Sequence, residues 1–402
     1  MREGTSDRMD DETLARRVEA FLDAHDPGDR IAFRGAQFDA GLAWVHHPEG
    51  CGGLGLARAQ QPVVTRTFIA GGIPPMEMAA NPIGLGMAAP TLMAWAPPGL
   101  RDASLRPIFT TEHIWCQMFS EPSAGSDVAG ISTRAIRDGE DFVVNGQKVW
   151  TTLAHKARYG LLLARTDPDV PKHRGLSCFA VDMHSPGIDV RPLFQLTGDA
   201  EFNEIFLTDV RVPAARLLGA EGDGWRVATT TLMNERVSLG AASGTVKRTP
   251  ARELLDEWQR VRASWPAVEY QSMRWQVVEH WVEAEVQRLL TARAAAMARA
   301  GQPGPEGSIA KLASTELGQR LASLLLDLQG AEAMLHKDGY PMARSEDDMT
   351  MTSPSKRYLR SRAFTIEGGT SEVMRNILGE RMLGLPPDIR LDKDVPWSKI
   401  PK

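Results

Sequence analysis

This 402-residue sequence contains cysteine, histidine and serine residues that could bind a metal or act as nucleophiles, but few of them have the spacing of a known metal-binding or catalytic motif. The three cysteines, Cys51, Cys116 and Cys178, form no CxxC pair, so they indicate neither a disulfide framework nor a zinc site. No HExxH metal motif and no GxSxG nucleophile elbow occurs. Ser308 and Lys311 have SxxK spacing without its companion motifs, which favours a simple helix start. The sequence therefore predicts no metal site.

Three short segments concentrate hydroxyl residues, glycines and one tryptophan. Taken singly, each has an ordinary structural explanation, because Trp150 could fill a sheet core, and Gly125 with Ser126 could form a tight turn. Taken together and in this order, they resemble the flavin-binding signatures of the acyl-CoA dehydrogenase family, over roughly residues 35–385. The segments are Phe119–Asp127 (FSEPSAGSD), Asn145–Thr152 (NGQKVWTT) and Ile366–Glu372 (IEGGTSE).

The family resemblance implies a fold, a cofactor and partners. It implies an α+β chain with an N-terminal helical domain, a central antiparallel β-sandwich or barrel domain and a C-terminal four-helix bundle. FAD would lie between the β domain and the bundle, partly against a second subunit of a homodimer or homotetramer. The substrate would be an acyl-CoA thioester, and the electrons would pass to an electron-transfer flavoprotein.

The chemistry of the family explains why these residue types are used. A carboxylate removes the weakly acidic α-proton while hydrogen bonds hold the thioester oxygen, and the β-hydride goes to the flavin. Trp150 would pack beside the flavin ring, and Thr152 would hydrogen-bond near its N5 atom. By resemblance, substrate contacts would come from Ser126, Arg236 and the backbone of Gly368. The implied cofactor-binding residues are Gln117, Phe119, Ser120, Gly125, Ser126, Trp150, Thr152, Thr370 and Glu372.

The catalytic base is placed differently in two branches of this family. Most members have a glutamate two residues before the threonine of the C-terminal motif, where this chain has Gly368. Glu367 stands one residue earlier, and such a shift turns a helical side chain through about 100°. In a minority, a glutamate that directly precedes an arginine on the first bundle helix supplies the base. Glu235 precedes Arg236 in this way, so we predict Glu235 as the base, with Glu367 as the alternative.

Two departures from the family pattern concern the FAD site. No Phe-Gly element accompanies the basic segment Val246–Arg252, where Lys247, Arg248 or Arg252 could supply the charge. At Asp327–Ala331, the glutamine and the second glycine of the family element are altered. These departures support one alternative to a homomeric dehydrogenase, a subunit of a heteromeric acyl-CoA dehydrogenase, such as a heterotetramer, with an incomplete FAD site. A second alternative, an acyl-CoA oxidase or flavin monooxygenase, keeps the fold and changes the chemistry.

The elements that must position these residues follow the order helical, β, helical. Residues 11–25 have apolar residues at helical spacing, and six β-rich runs lie between residues 141 and 213. Asn145-Gly146 predicts a hairpin turn, because both central residues of such a turn need positive φ. Two stripes at helical spacing predict core packing in a bundle: Val278, Val282, Val286 and Leu289, and Leu317, Leu321, Leu324, Leu325 and Leu328. The expected divisions are residues 1–114, 115–218, 219–386 and an extended tail at 387–402.

Composition excludes several classes of protein. The formal net charge of −5 argues against nucleic-acid binding, which needs a basic surface. No apolar run approaches the ~20 residues of a membrane span, and residues 1–12 contain no apolar signal core. With scattered cysteines, these features predict a cytoplasmic protein.

Overall fold

The structure, a computed structural model, describes residues 9–74, 80–242, 249–299, 306–335, 353–389 and 392–401. Side chains at a few further positions within its helices, among them 236–242, are not described. None of the helices in these ranges combines the length and apolar character that a membrane crossing requires.

Five helices form the N-terminal layer within residues 9–74 and 80–114. In α1, the Asp10 carboxylate accepts a hydrogen bond from the amide of Thr13 at 2.7 Å, which caps the helix at the predicted start. Leu14, Val18 and Phe21 are buried on one face, as their spacing predicts. A π-helical segment, Gly84–Ala88, leads into α4. The helices are α1 (Asp11–Ala24), α2 (Arg30–Asp39), α3 (Gln61–Ala70), α4 (Ala89–Trp95) and α5 (Pro98–Thr110).

The central region is one sheet with the strand order β6-β7-β3-β2-β4-β5-β8, and β1 pairs with β4. Pairing is mainly antiparallel, but β1 and β2 both run parallel to β4, which the prediction of an antiparallel domain did not include. Side chains of β4 and β5 alternate between two buried layers, so both faces of these strands are covered. The strands are β1 (Trp115–Met118), β2 (Arg134–Asp138), β3 (Asp141–Thr152), β4 (Tyr159–Arg165), β5 (Leu176–Asp182), β6 (Ile188–Leu193), β7 (Phe202–Pro213) and β8 (Leu217–Leu218).

The predicted hairpin turn at Asn145-Gly146 is wrong. β3 runs without interruption through both residues, and the turn between β2 and β3 lies at Gly139, which has φ 61°. Asn145 instead marks a β-bulge, because the register against β7 shifts between Val144 and Gly146. The Asn145 side chain bonds Asp209 on β7 through both its amide nitrogen and its oxygen. The same residue types serve a turn or a bulge because both need unusual backbone angles.

In the part of the chain that the structure describes, six helices follow the sheet. The leucine stripe from Leu317 to Leu328 is buried on α9 against α7 and α8, as predicted. The valine stripe on α8 is not core: the side chains of Val278, Val282, Val286 and Leu289 are 43–57% exposed. The opposite face of α8, which includes Val277, makes the core contacts instead. The helices are α6 (Gly224–Ala242), α7 (Pro250–Val261), α8 (Ala267–Arg299), α9 (Glu306–Gln329), α10 (Pro354–Ser361) and α11 (Ser371–Arg381).

Candidate functional site

The end of β3 carries a strained and exposed tryptophan. Trp150 has φ 60°, in the left-handed region that bulky residues rarely occupy, and its side chain is 57% exposed. Its ring meets the ring of Phe202 edge-on, with centroids 5.8 Å apart. Strain of this kind persists where the surroundings enforce it, and it clusters at functional sites. Trp150 does not fill the sheet core, so the purely structural explanation fails.

A buried ion pair holds the strand beneath Trp150. Lys148 Nζ lies 2.9 Å from Glu121 Oε1, and both side chains are almost fully buried. Lys148 also donates to the carbonyl oxygen of Phe119 at 3.0 Å, while Glu121 accepts from the amides of Ser132 and Thr133. Burial lowers the pKa of Lys148 to about 8, although Glu121 opposes that change. Through these contacts with Phe119 and Glu121, the lysine ties the first two sequence motifs together.

The predicted flavin-strand residues lie around this anchor. The amide of Val149 donates to the carbonyl oxygen of Ser120 at 3.0 Å, which sets Ser120 beside Trp150. Thr152 is half-buried and pairs with Phe202 on β7. Gln117 is half-buried on β1, whereas the Phe119 side chain is 2% exposed within the core shared with the N-terminal helices. Because its side chain is buried, Phe119 could contact a ligand only through its backbone.

The loop after Ser120 presents the other predicted residues of the first motif. Glu121 and Ala124 bond each other through two backbone hydrogen bonds, which closes a tight turn. Gly125 and Ser126 follow on the exposed tip of the loop. Asp127 pairs with Lys172 from the loop between β4 and β5, with Nζ to Oδ2 at 2.9 Å. The tip is therefore open to a ligand while its two ends are held.

The C-terminal motif forms a second group of predicted residues at the start of α11. The Thr370 side chain caps this helix by accepting from the amide of Val373 at 3.1 Å. Glu372 is exposed in the first turn, and Ser371 is 4% exposed. Thr370, Ser371 and Glu372 line one cavity of about 420 Å³ together with residues of α9. Lys311 holds the preceding turn by donating to the carbonyl oxygen of Phe364, at 3.2 Å, and to that of Gly369.

The backbone before Thr370 explains why a glycine occupies position 368. Gly368 has φ 63° and Gly369 has φ 93°, a conformation that a residue with a side chain disfavours. Glu367, one residue earlier, pairs with Arg360 Nη2 at 2.8 Å. This ion pair gives the Glu367 carboxylate a structural partner of its own.

Arg360 joins the two groups of predicted residues. Besides Glu367, it lies 3.4 Å from the buried carboxylate of Glu201, and its guanidinium stacks on the ring of Phe202 at 5.4 Å. Phe202 is the residue that contacts Trp150. A continuous set of contacts thus runs from Trp150 to the segment before Gly368.

Glu235 lies on α6, the helix that packs against the N-terminal helices. One turn before it, the Thr231 hydroxyl is 2.9 Å from the hydroxyl of Thr91 on α4, and both are fully buried. Residues four apart share a helix face, so Glu235 continues the face that packs on the N-terminal layer. Its side chain is half-buried. The Arg236 side chain lies outside the described part of the chain, so its predicted role is not tested.

The departures from the family pattern are only partly visible. Lys247 and Arg248 lie outside the described residues, and Arg252 pairs with Asp256 at 3.2 Å. Gly330 has φ 58°, so the glycine kept in the second altered element occupies a position that needs its flexibility.

Sequence reasoning missed four residues that organise the site: Glu121, Lys148, Phe202 and Arg360. A signal was available for the first pair, since both stand inside the recognised motifs and Lys148 interrupts an otherwise apolar strand face. Nothing in the local sequence marks Arg360, whose partners lie on β7 and in the C-terminal motif. Within the described ranges, no group of three or more potential metal ligands occurs.

Comparisons with known proteins agree on one family. The family model described as "Acyl-CoA dehydrogenase, middle domain" matches residues 116–210, and "Acyl-CoA dehydrogenase, C-terminal domain" matches residues 222–383. The chain is 38% identical to acyl-CoA dehydrogenase FadE34 of Mycobacterium tuberculosis, over 87% of this chain and 45% of that protein. It therefore spans less than half the length of FadE34.

Two further likenesses cover most of both chains compared. Acyl-CoA dehydrogenase IpdE1 of Mycobacterium tuberculosis is 35% identical over 87% of this chain and 86% of its own length. Among solved structures, the ChsE4-ChsE5 complex from Mycobacterium tuberculosis has a chain that is 27% identical with a TM-score of 0.67. That likeness covers 96% of this chain and 100% of the matched chain.

Proposed function

Because the chain belongs to the acyl-CoA dehydrogenase family, we propose that it oxidises the Cα–Cβ bond of an acyl-CoA thioester to the trans-2-enoyl-CoA. The observation that carries the proposal is Trp150, which is exposed and strained beside Ser120 and Thr152, where the family pattern expects a flavin ring. FAD is the proposed cofactor, and an electron-transfer flavoprotein is the proposed electron acceptor.

The residues present fit a bound FAD. Two buried hydroxyl oxygens near the proposed site, Thr151 Oγ1 and Ser371 Oγ, have no hydrogen-bond partner among the described residues. Buried hydroxyls normally have partners, so these two are suited to a ligand or water. Ser120, Trp150 and Thr152 would hold the ring, and Thr370 and Glu372 would hold the remainder. When bound, the flavin supplies the hydride acceptor that no protein side chain provides.

The proposed base is Glu235, which would take the α-proton onto a carboxylate oxygen. Its half-buried side chain, on the face of α6 that carries Thr231 against Thr91 of α4, supports this role, because partial burial limits the access of water to the proton transfer. The one-residue offset of Glu367 from the family position supports the same choice, since such a shift turns that side chain away from the place of the family base. The amide of Gly368 would donate to the thioester oxygen and stabilise the developing enolate.

The proposed substrate is an acyl-CoA with a bulky, branched or steroid-derived acyl group. A solved structure titled "Tcur3481-Tcur3483 steroid ACAD" supports this class, since it is 25% identical with a TM-score of 0.70 over 96% of this chain and 99% of that chain. A reducing cytoplasm is the proposed compartment, which suits the three free cysteines.

The proposed assembly is a pair of copies that meet through α8. Trp275, Val278, Val282, Val286 and Leu289 form an exposed apolar stripe along this helix, which we name the α8 stripe. A stripe of this kind on a surface helix indicates a covered face. A two-fold axis would set the same stripe of two copies against each other, which needs no other complementary surface. The alternative is a heteromeric assembly with a homologous chain. The similarity of this chain to one chain of the ChsE4-ChsE5 complex supports that alternative.

The deciding experiment is the visible absorption spectrum of the purified chain during anaerobic titration with straight-chain, branched and steroid-side-chain acyl-CoAs. We expect a flavin spectrum that bleaches with the bulky substrates, and Glu235→Gln should slow bleaching by about 10²- to 10⁴-fold, the usual contribution of a general base. Glu367→Gln is the matched control and should bleach at nearly the wild-type rate. A colourless chain that gains no flavin on reconstitution would contradict the homomeric proposal.

The acceptor is tested on the same preparation. Stopped-flow reoxidation by oxygen should be slow compared with reoxidation by an electron-transfer flavoprotein or an artificial acceptor. Rapid reoxidation by oxygen would favour the acyl-CoA oxidase alternative instead.

A further inference from the structure

The last described segment of the chain returns to the sheet. Residues 392–401, which we name the strap, pack against the loop between β4 and β5. The amide of Trp397 donates to the carbonyl oxygen of Val170 at 3.0 Å, and the amide of Ser398 donates to that of Pro168 at 2.8 Å. The Ser398 hydroxyl also bonds the Asp169 carboxylate at 2.9 Å. An extended tail was predicted for this region, but its docking was not.

Trp397 reaches the loop of the first motif through Arg165. The Arg165 guanidinium is buried and donates to the carbonyl oxygens of Ala129 and Ile131, at 2.7 and 3.2 Å. The Trp397 ring covers this guanidinium, with Cζ 4.3 Å from the ring centroid. The indole nitrogen of Trp397 also donates to the carbonyl oxygen of Gly130 at 3.4 Å. Three successive carbonyls of the loop are thus held by this one stacked pair.

The contacts of Trp397 form a first tether between the strap and this loop, and a second tether starts from Asp392, at the other end of the strap. Asp392 pairs with Lys172 at 2.6 Å, and the same ammonium group pairs with Asp127 at 2.9 Å. The side chain of Lys172 is 16% exposed, that of Asp392 is 29% exposed and that of Asp127 is 59% exposed, so the pair with Asp392 is the better shielded from solvent. Asp127 directly follows Ser126 at the loop tip.

Both tethers converge on residues 127–131, although they start five residues apart on the strap. A segment that only covered the sheet would have no reason to converge on one loop. That loop ends the first motif, and its tip carries Gly125 and Ser126, the residues expected to meet the thioester or the flavin. Binding residues on loops need a rigid support to hold them in position.

We propose that the strap positions the Gly125-Ser126 tip for acyl-CoA binding, with Trp397 and Asp392 as positioning residues. This inference rests on the proposed function of the same loop. Positioning of a ground-state contact changes substrate binding more than the chemical step, because the proposed base lies on α6 and the proposed ring contacts of Trp150 and Thr152 lie on β3. Loss of the strap contacts should therefore raise KM and leave kcat nearly unchanged.

The test compares Trp397→Ala, Trp397→Phe and Asp392→Asn with Asp394→Asn, an exposed aspartate two residues along the same strap. The readouts are KM and kcat for the acyl-CoA that bleaches the wild type, CoA affinity by calorimetry, and amide hydrogen exchange of residues 124–131. Trp397→Ala should raise KM and the Kd for CoA about tenfold, and exchange in the loop should accelerate. Trp397→Phe should recover part of this loss through its ring, and Asp394→Asn should match the wild type.

The outcomes separate the two proposals. If the wild type bleaches and Trp397→Ala has wild-type KM, the positioning role is wrong, even where loop exchange is faster. A fall in kcat with unchanged KM would also overturn it. A wild type that binds CoA but never bleaches would refute the proposed function alone, and the strap would then be judged by the Kd for CoA. Failure of the wild type to bind CoA would overturn both.

Discussion

At the scale of single residues, the clearest functional mark is backbone strain at Trp150. Four non-glycine residues among those described have positive φ, and two of them, Trp150 and Leu153, flank the Thr151-Thr152 pair. A residue held in this region costs of order 1–3 kcal/mol of stability. The contact with Phe202 returns about 0.5–1.5 kcal/mol at best, so packing alone does not explain the strain.

We expect Trp150→Gly to separate stability from cofactor binding. Glycine removes both the strain and the Phe202 contact, so the free energy of unfolding of the flavin-free chain should change by less than about 1 kcal/mol. Flavin retained after purification should fall sharply, as measured by absorbance per mole of chain. Asp209→Gly is the matched control, because Asp209 has φ 49° at the bulge opposite Asn145, away from the proposed site. Equal flavin loss in both variants would refute this role for Trp150.

A second residue-scale feature concerns acid stability. Burial lowers the pKa of His47 from 6.5 to about 4, with smaller contributions in the same direction from His46 and Arg58. Below pH 6.5 the unfolded chain therefore takes up a proton that the folded chain refuses until about pH 4. Stability contributed by neutral His47 is present above pH 6.5 and is lost as the pH falls toward 4.

His47→Gln should therefore reduce the acid sensitivity of the fold. Its melting temperature should fall less than that of the wild type between pH 7 and pH 5, as measured by circular dichroism. His184→Gln is the control, since His184 is exposed. Identical falls for wild type and His47→Gln would show that His47 does not titrate in this window.

At the scale of elements, periodicity predicted most strands and the core stripe of α9, because alternation and helical spacing follow directly from backbone geometry. The Asn145-Gly146 bulge was not predicted, since local turn chemistry does not distinguish a turn from a bulge. The motif residues of the proposed site could be identified from the sequence because they are contiguous within each motif. The roles of Arg360 and Trp397 were not, since their partners lie on segments that only the tertiary fold brings together.

The error on α8 leads to a prediction about assembly. This helix has two apolar faces, and sequence spacing does not say which one the chain itself covers. We expect Val282→Glu, in the middle of the α8 stripe, to shift the chain from dimer toward monomer, because it would bury a charge in the proposed interface. Light scattering after size exclusion measures the mass. Ile69→Glu alters another exposed apolar residue, on α3, and should leave the mass unchanged.

A wild type that is monomeric at all concentrations would contradict self-association through the α8 stripe. Recovery of a larger species only on adding a homologous dehydrogenase chain would favour the heteromeric alternative.

At the scale of the whole molecule, the proposed site depends on a joint between the sheet and the C-terminal helices. Lys356 and Arg360 on α10 pair with Asp199 and Glu201 before β7, the first pair at 2.8 Å. Arg360 continues to Glu367, next to Gly368. The ring-side group around Trp150 and the group at the start of α11 are therefore aligned by α10, which itself carries none of the predicted ligand contacts.

Arg360→Ala should uncouple the two halves without unfolding either core. It leaves the buried Glu201 carboxylate without its guanidinium partner, a change that typically costs about 3–5 kcal/mol when an ion partner is removed from a buried pair. Because that loss falls on the joint, calorimetry should resolve one cooperative transition of the wild type into two. Arg375→Ala, which removes an exposed pair with Glu316 inside the bundle, should keep a single transition. A single transition at a lower temperature in Arg360→Ala would mean that the hydrophobic cores, rather than α10, couple the two halves. Alignment of the site would then have to come from the contacts of α6 with the sheet and the N-terminal helices.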